Sequence, residues 1–232
     1  MKVRIAGRGR AGSSFARALR DVGWDVDLVA HAAALANGVD VLVLAVPDAA
    51  IADVAASIAP DPSTVVVHLS GSLGLDVLAP HERRASVHPL VPLSNEELGS
   101  RALRGAATFA VAGDDIARQI VGALGGRAIE VDDDVRVAYH AAACIASNHV
   151  VAVLEQAARV AAEAGVPFDA YLDLVDATIA NVRAVGPVAA LTGPASRGDT
   201  DTVARHLATI SERERALYAI VAERCREIGL SR

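Results

Sequence analysis

Between residues 3 and 113 the sequence repeats one arrangement: a short apolar run stopped by glycine or proline, then in several places a segment of helical length. The runs lie at 3–6, "WDVDLVA" (24–30), "VDVLVLAVP" (39–47), "STVVVHLSG" (63–71), "ASVHPL" (85–90) and "ATFAVAG" (107–113). Runs this short and apolar suit strands buried on both faces. Between the first two, 13–22 puts Phe15, Ala18, Leu19 and Val22 on one helical face ahead of Gly23, and a glycine just past the last turn terminates a helix. A second helix is expected around 51–58. Strands alternating with helices predict βαβ units and a parallel sheet with helices on both faces. The pattern ends at the acidic turn "EVDDDVR" (130–136). Beyond it we expect helices alone, at roughly 136–164, 168–184 and 201–228, punctuated by Gly165-Val-Pro167 and by "GPVAALTGPASRGD" (186–199), since glycine and proline break regular elements. The expected fold class is α/β: a doubly wound N-terminal domain over 1–131 and an all-helical second domain over 132–232, both of ordinary domain size.

Composition removes several classes of function. The net charge is −6 and no run of basic residues occurs, which argues against nucleic-acid binding. Two cysteines, Cys144 and Cys225, form no C-x-x-C pair. That excludes a disulfide framework and a thiolate zinc site, fits a reducing compartment, and leaves no expected metal site. No signal peptide is expected, because Lys2 and Arg4 lead into a short strand followed by glycines; the expected location is the cytoplasm. The stretch 137–154 carries no formal charge, but it holds His140, Ser147, Asn148 and His149 among residues that are mostly alanine. Alanine inserts poorly into a bilayer, so we expect a helix buried within the protein or at a subunit interface, and no membrane partner.

Directly after the first run comes Gly7-Arg-Gly9-Arg-Ala-Gly12. A G-x-G-x-x-G spacing is weak alone, but between a first strand and a first helix it is the dinucleotide fingerprint. Gly7 permits the tight turn, Gly9 lets the backbone approach a pyrophosphate, and Gly12 allows close helix–strand packing; Ala11 completes the loop. NAD sites place an acid near the end of the second strand, to hold the ribose hydroxyls. Here Ala30 and His31 occupy that place, while Arg8 and Arg10 stand in the loop. A missing carboxylate beside cationic groups favours a 2′-phosphate, hence NADP over NAD.

Ligands of doubly wound sheets bind outside the carboxyl ends of the strands. "AVPDAAI" (45–51) ends a central run, so Ala45, Val46, Pro47 and Asp48 are candidates to line the cofactor, with Asp48 also able to cap a helix. Ser70 and Gly71 follow the next run, where the nicotinamide half is expected. In "GPASRGDTD", Thr200 or Asp201 is expected to cap the following helix, which leaves Arg197 and Asp199 over. Arginine contacts a carboxylate bidentately, and Asp199 can orient it, a pairing that suits an oxo-acid substrate or pins a loop or dimer.

These blocks, with "HLSGSLGLDVL" (68–78), "HPL" (88–90), "YHAAACIASNH" (139–149) and "LTGPASRGDTDTVARHL" (191–207), run through nearly the entire chain. The sequence resembles the 6-phosphogluconate dehydrogenase-like superfamily, which includes β-hydroxyacid dehydrogenases, ketopantoate reductase, prephenate dehydrogenase and pyrroline-5-carboxylate reductase. More closely it is similar to a bacterial family of Rossmann-like proteins with a helical domain of unknown function. The resemblance implies an NAD(P)-dependent oxidoreductase, dimeric through its helical domain, and carries no substrate with it. Prephenate dehydrogenases have a pair like His88-Pro89, which makes His88 a substrate-site candidate. β-Hydroxyacid dehydrogenases use a helix-borne lysine as proton donor, whereas Lys2 is the only lysine here. The matching helix offers His140 instead. On a 3.6-residue period His140, Cys144 and Ser147 share a face, with Asn148 about 80° round. A histidine can protonate a developing alkoxide, and Ser147 or Asn148 can hold the same oxygen.

The expected function is NADP-dependent hydride transfer with a small carbonyl substrate, a 2-oxo or 3-oxo acid, for which a ketopantoate-reductase-like reaction is one form. An imine reductase and a deazaflavin-linked reductase are the enzymic alternatives. A non-catalytic NADP sensor, favoured by the missing lysine, is the rival from another class, and a scaffold assembled on the apolar helix is a third. The proton donor stays open between His140, His88 and His68.

Overall fold

The computed structural model describes residues 1–231. It divides into two compact units, Met1–Ser147 and Asn148–Arg232. In the first, β1 (Lys2–Ala6), α1 (Arg10–Asp21), β2 (Asp25–Val29), β3 (Val41–Leu44), α2 (Asp48–Ser57), β4 (Val65–His68), β5 (Arg84–Pro89), α3 (Glu96–Leu103), β6 (Thr108–Gly113), α4 (Ile116–Ala123), β7 (Arg127–Glu130) and α5 (Arg136–Cys144) follow one another. The seven strands form one sheet in the order β2-β1-β3-β4-β5-β6-β7. Strands β1 to β5 are parallel, β6 runs antiparallel to β5, and β7 is parallel to β6. The α/β, doubly wound Rossmann architecture is therefore the observed one, with a reversed pair of strands on its far edge. The edge strand β7 has no counterpart in the six apolar runs. Its sequence "RAIE" is only four residues long and charged at both ends.

The core explains why the runs are continuous rather than alternating. In β3, Val41 and Val43 pack with Val3, Ile5, Phe15 and Leu19 on one face. Leu42 and Leu44 pack with Ile51, Val66 and Leu78 on the other. Successive strand residues point to opposite faces, so a strand covered on both sides needs apolar residues at every position. The strand order turns back between β1 and β3, and the carboxyl ends of those strands frame the crevice where ligands of such sheets bind.

The first unit extends past residue 131, where the sequence pattern changes, to include α5. Arg136 explains the extension: it is 0% exposed, donates from Nη1 to the Val131 carbonyl at 3.0 Å and from Nη2 to Ser86 Oγ in β5. These bonds tie the start of α5 to the sheet.

The second unit contains α6 (Val150–Glu163), α7 (Leu172–Ala190), α8 (Thr200–Thr209) and α9 (Glu212–Leu230), and no strand among its described residues. Three sequence expectations need correction here. The helix expected over 201–228 is two helices, because Ile210 is extended and buried and Ser211 takes the N-cap position of α9. The helix expected to end near 184 continues to Ala190, kinked at Gly186 with φ +81° ahead of Pro187. Finally, of the two settings expected for 137–154, within the protein or at a subunit interface, the first is not observed: Val137, Ile145, Val150, Val151 and Val153 are all exposed. The helical stretches 136–163 and 168–197 are each long and apolar enough to cross a membrane by length and composition. Within the unit, Glu214 of α9 is 1% exposed and accepts from Arg159 Nε at 2.7 Å and Nη2 at 3.0 Å, and from Gln156 Nε2 at 3.3 Å. That cluster joins α6 to α9 and satisfies the buried carboxylate.

Candidate active site

The glycine turn has the geometry that its spacing requires. Gly7 lies at φ +126°, and a side chain there would collide with the Ala45 carbonyl at the end of β3. A Cβ on Gly12 would likewise strike the Gly7 carbonyl and meet the Ala45 side chain at 3.2 Å. Gly9, by contrast, faces open space and takes the N-cap position of α1. Turn and packing are thus closed around two glycines while the third leaves room for a ligand at a helix N-terminus, whose free N–H groups attract anions. Arg8, Arg10 and His31 are exposed around this turn, and among the described residues none has a side-chain hydrogen bond or ion pair. Of the two acids of β2, Asp27, the nearer to its carboxyl end, is already held by Arg4 Nε at 3.2 Å.

At the next two strand ends, Val46 is half-buried and Pro47 occupies the N-cap of α2. Asp48 makes no capping bond. As the first residue of α2 it instead accepts from Ser70 Oγ at 2.7 Å and Ser72 Oγ at 3.0 Å. Ser70 Oγ in turn accepts from the backbone N–H of Ser72 and Leu73, each at 3.2 Å. The Ser70 hydroxyl is therefore spent on bracing the β4 loop against α2.

A cluster of rings lies beyond that loop. Strand β5 places Ser86 and His88 two residues apart on one face, and α5 places Arg136 and Tyr139 three apart on its own face. The two pairs meet: Arg136 on Ser86, and Tyr139 Oη 2.7 Å from His88 Nδ1. The His140 ring stands edge-on to His88 with centroids 5.6 Å apart. Gly71 fills the gap, since a Cβ there would come within 2.5 Å of His140 Cδ2 and 2.8 Å of His88 Cε1 and Nε2. The sequence treated Gly71, His88 and His140 as separate candidates, and the structure brings all three together. Burial, with Arg136 and His140 adding to it, lowers the His88 pKa to about 4. Burial raises that of Tyr139 to about 12. His68 is fully enclosed (0% exposed) at the end of β4, and burial, then Arg136, lowers its pKa to about 4. An enclosed ring cannot touch a substrate, which removes His68 from the candidate donors.

Ser147 and Asn148 lie beyond the regular turns of α5. Residues Ile145–His149 form a π-helical turn, and an i→i+5 turn advances less per residue than the 3.6-residue period assumes. Cys144, one helical turn on, shares the face of His140, its Sγ 3.9 Å from His140 Nε2. Asp199 is the N-cap of α8, accepting from the Thr202 N–H at 3.0 Å and Thr202 Oγ1 at 2.8 Å. Neither Thr200 nor Asp201 takes that place; the Asp199 carboxylate makes its hydrogen bonds to the cap, and Arg197 acts on it through charge alone. Arg197 is exposed, without a side-chain hydrogen bond or ion pair among the described residues.

Two residues of the cluster escaped sequence reasoning. Tyr139 meets a partner 51 positions away, for which no local signal exists. Arg136 closes an acidic run that reads as a solvated turn.

Residues 106–225 match the family model described as a domain of unknown function, DUF2520, and residues 28–93 match a Rossmann-like domain. No curated protein matches the sequence. Among solved structures, a Bacteroides fragilis protein described as an NADP oxidoreductase superposes with a TM-score of 0.82 at 19% identity, over 97% of this chain and 98% of that one. A Thermotoga maritima protein superposes with a TM-score of 0.73 at 25% identity, over 99% and 98%. Pyrroline carboxylate reductase of Plasmodium falciparum, solved with NADP bound, gives 0.64 at 13% identity over 99% and 98%.

Proposed function

The chain belongs to the DUF2520 family, and from that premise we propose that it is an NADP-dependent oxidoreductase acting on a small carbonyl compound, a 2-oxo or 3-oxo acid. A ketopantoate-reductase-like reaction is one form of that chemistry. The observation that carries the reading is the glycine turn: closed at Gly7 and Gly12, open at Gly9, and set at the reversal point of the sheet. A dinucleotide pyrophosphate fits the open glycine and the first turn of α1. Arg8, Arg10 and His31 are the residues that would hold a 2′-phosphate, and no acid stands at the end of β2 to compete with it. The NADP named for two of the structural neighbours supports the same choice.

Bound NADPH supplies the hydride. The chain's own residues orient the acceptor and provide the proton, and His88 and His140, side by side at Gly71, are the groups placed to do so. The enzyme is read as cytoplasmic, in keeping with two free cysteines. We also infer a homodimer built on the second unit. Helix α7 is largely apolar yet has no buried residue, and a helix with an apolar face needs a partner to cover it. A cavity of about 460 Å³ between α6, α9 and the 192–195 segment, lined by Val153, Val160, Tyr218 and Val221, gives a second copy an apolar seat.

The test is to follow loss of nicotinamide absorbance when the protein is mixed with NADPH and a panel of 2-oxo and 3-oxo acids. Turnover of at least one, lost in His88→Ala or His140→Ala, is expected. Tight NADPH binding with no turnover across the panel favours the sensor reading instead.

A further inference from the structure

We propose that Tyr139 is a positioning residue that holds His88 as an Nε2–H donor at the Gly71 crevice, and that the site is therefore built for a carbonyl oxygen and not for a protonated imine. The substrate half of this inference rests on the reductase reading above; the histidine half does not.

The assignment follows from donor and acceptor accounting. A neutral imidazole has one N–H and one bare nitrogen. His88 is kept neutral by burial and by His140 and Arg136, against the opposing pull of Asp48. Its Nδ1 lies 2.7 Å from Tyr139 Oη, and the phenol stays protonated because burial raises its pKa to about 12. Either group can donate across this contact. Were Nδ1–H the donor, the Tyr139 proton would need a second acceptor, and no other hydrogen bond of the Tyr139 hydroxyl is found among the described residues. With Tyr139 donating, the phenol proton and Nδ1 satisfy one another, and the remaining ring proton sits on Nε2, the nitrogen left open to a substrate. Among the described residues Nε2 makes no hydrogen bond, and it faces Gly71, 2.8 Å from where a side chain would begin.

The groups around His88 are Tyr139, His140 and Arg136 from α5, His68 from β4 and Asp48 from α2. Of the formally charged ones, Arg136 acts on His88 more strongly than Asp48. Among the described residues Arg136 donates to a carbonyl and a hydroxyl and makes no hydrogen bond to a carboxylate, and Asp133 acts on it through charge alone. A fixed N–H beside a buried guanidinium suits a lone pair carrying developing negative charge. A protonated imine offers neither: its nitrogen has no lone pair and bears a positive charge. For a carbonyl the proton count closes. As negative charge grows on the oxygen, Nε2–H passes its proton to it and Nδ1 takes the Tyr139 proton; once the product leaves, solvent protonates Nε2 and Nδ1 returns its proton to the phenolate, which restores the Nε2–H ring.

The histidine half is tested by long-range ¹H–¹⁵N spectra of the ring nitrogens in the ¹⁵N-labelled full-length protein. His88 is assigned by the signal lost in His88→Gln. At neutral pH the wild type should show His88 as the Nε2–H tautomer, and Tyr139→Phe should move it to a mixture of tautomers, with NADPH affinity held within about twofold. An Nδ1–H tautomer or an imidazolium in the wild type overturns the proposal without any variant. The substrate half is tested by NADPH oxidation with a 2-oxo acid and with a cyclic imine. The oxo acid should react at least about tenfold faster, and a faster imine overturns that half. Failure to bind NADPH, with the Nε2–H tautomer intact, contradicts the reductase reading and upholds the His88 assignment.

Discussion

Gly71 is the residue on which the ring cluster depends most directly. His88 and His140 both approach within contact distance of where its side chain would begin, so Gly71→Ala must displace one or both rings. Displacements near 1 Å at a reacting group lower rates by about 100-fold; we expect that loss in kcat/KM with NADPH affinity unchanged. His68 makes a separate prediction. Its pKa falls from 6.5 to about 4 in the folded chain, first through burial and then through Arg136. An unfolded His68 takes a proton below 6.5 and the folded one only below about 4. Its contribution to stability is therefore full above 6.5 and is lost as the pH falls from there toward 4. Urea midpoints across that range should decline with falling pH, more steeply in wild type than in His68→Leu.

At the scale of elements, the sequence was legible wherever local pattern decides structure. The apolar runs located six strands because burial on both faces leaves a continuous signal. The glycine loop was readable because its spacing reflects contacts made within one strand–turn–helix unit. Edge strand β7 lacks that signal, being short and charged at both ends, and the Ile145–His149 π turn has no mark in a 3.6-residue period. The site was legible in part: Gly71, His88 and His140 were each visible as residues at strand or helix ends, but their meeting depends on β5 packing against α5. Tyr139 and Arg136 depend on the same long-range register and were invisible for that reason. Asp199 shows a role reassigned by local geometry, from substrate contact to helix cap. Asp199→Ala should lower stability through loss of the cap, seen as a lower urea midpoint, and leave NADPH affinity unaltered.

The whole molecule combines a nucleotide-type crevice in one unit with an unburied apolar helix in the other. If a second copy covers α7, Leu174→Glu, at a site 63% exposed in the single chain, should convert a dimer to a monomer in light scattering while the first unit keeps its fold by circular dichroism. A wild-type monomer would contradict the dimer. The central claim is that the glycine turn with its two arginines binds NADP, and calorimetric titration of the full chain with NADPH and NADH tests it most directly. We predict that NADPH binds at least about tenfold more tightly, because Arg8 and Arg10 pair with a 2′-phosphate that NADH lacks. Equal or tighter binding of NADH, or no binding of either, would contradict it.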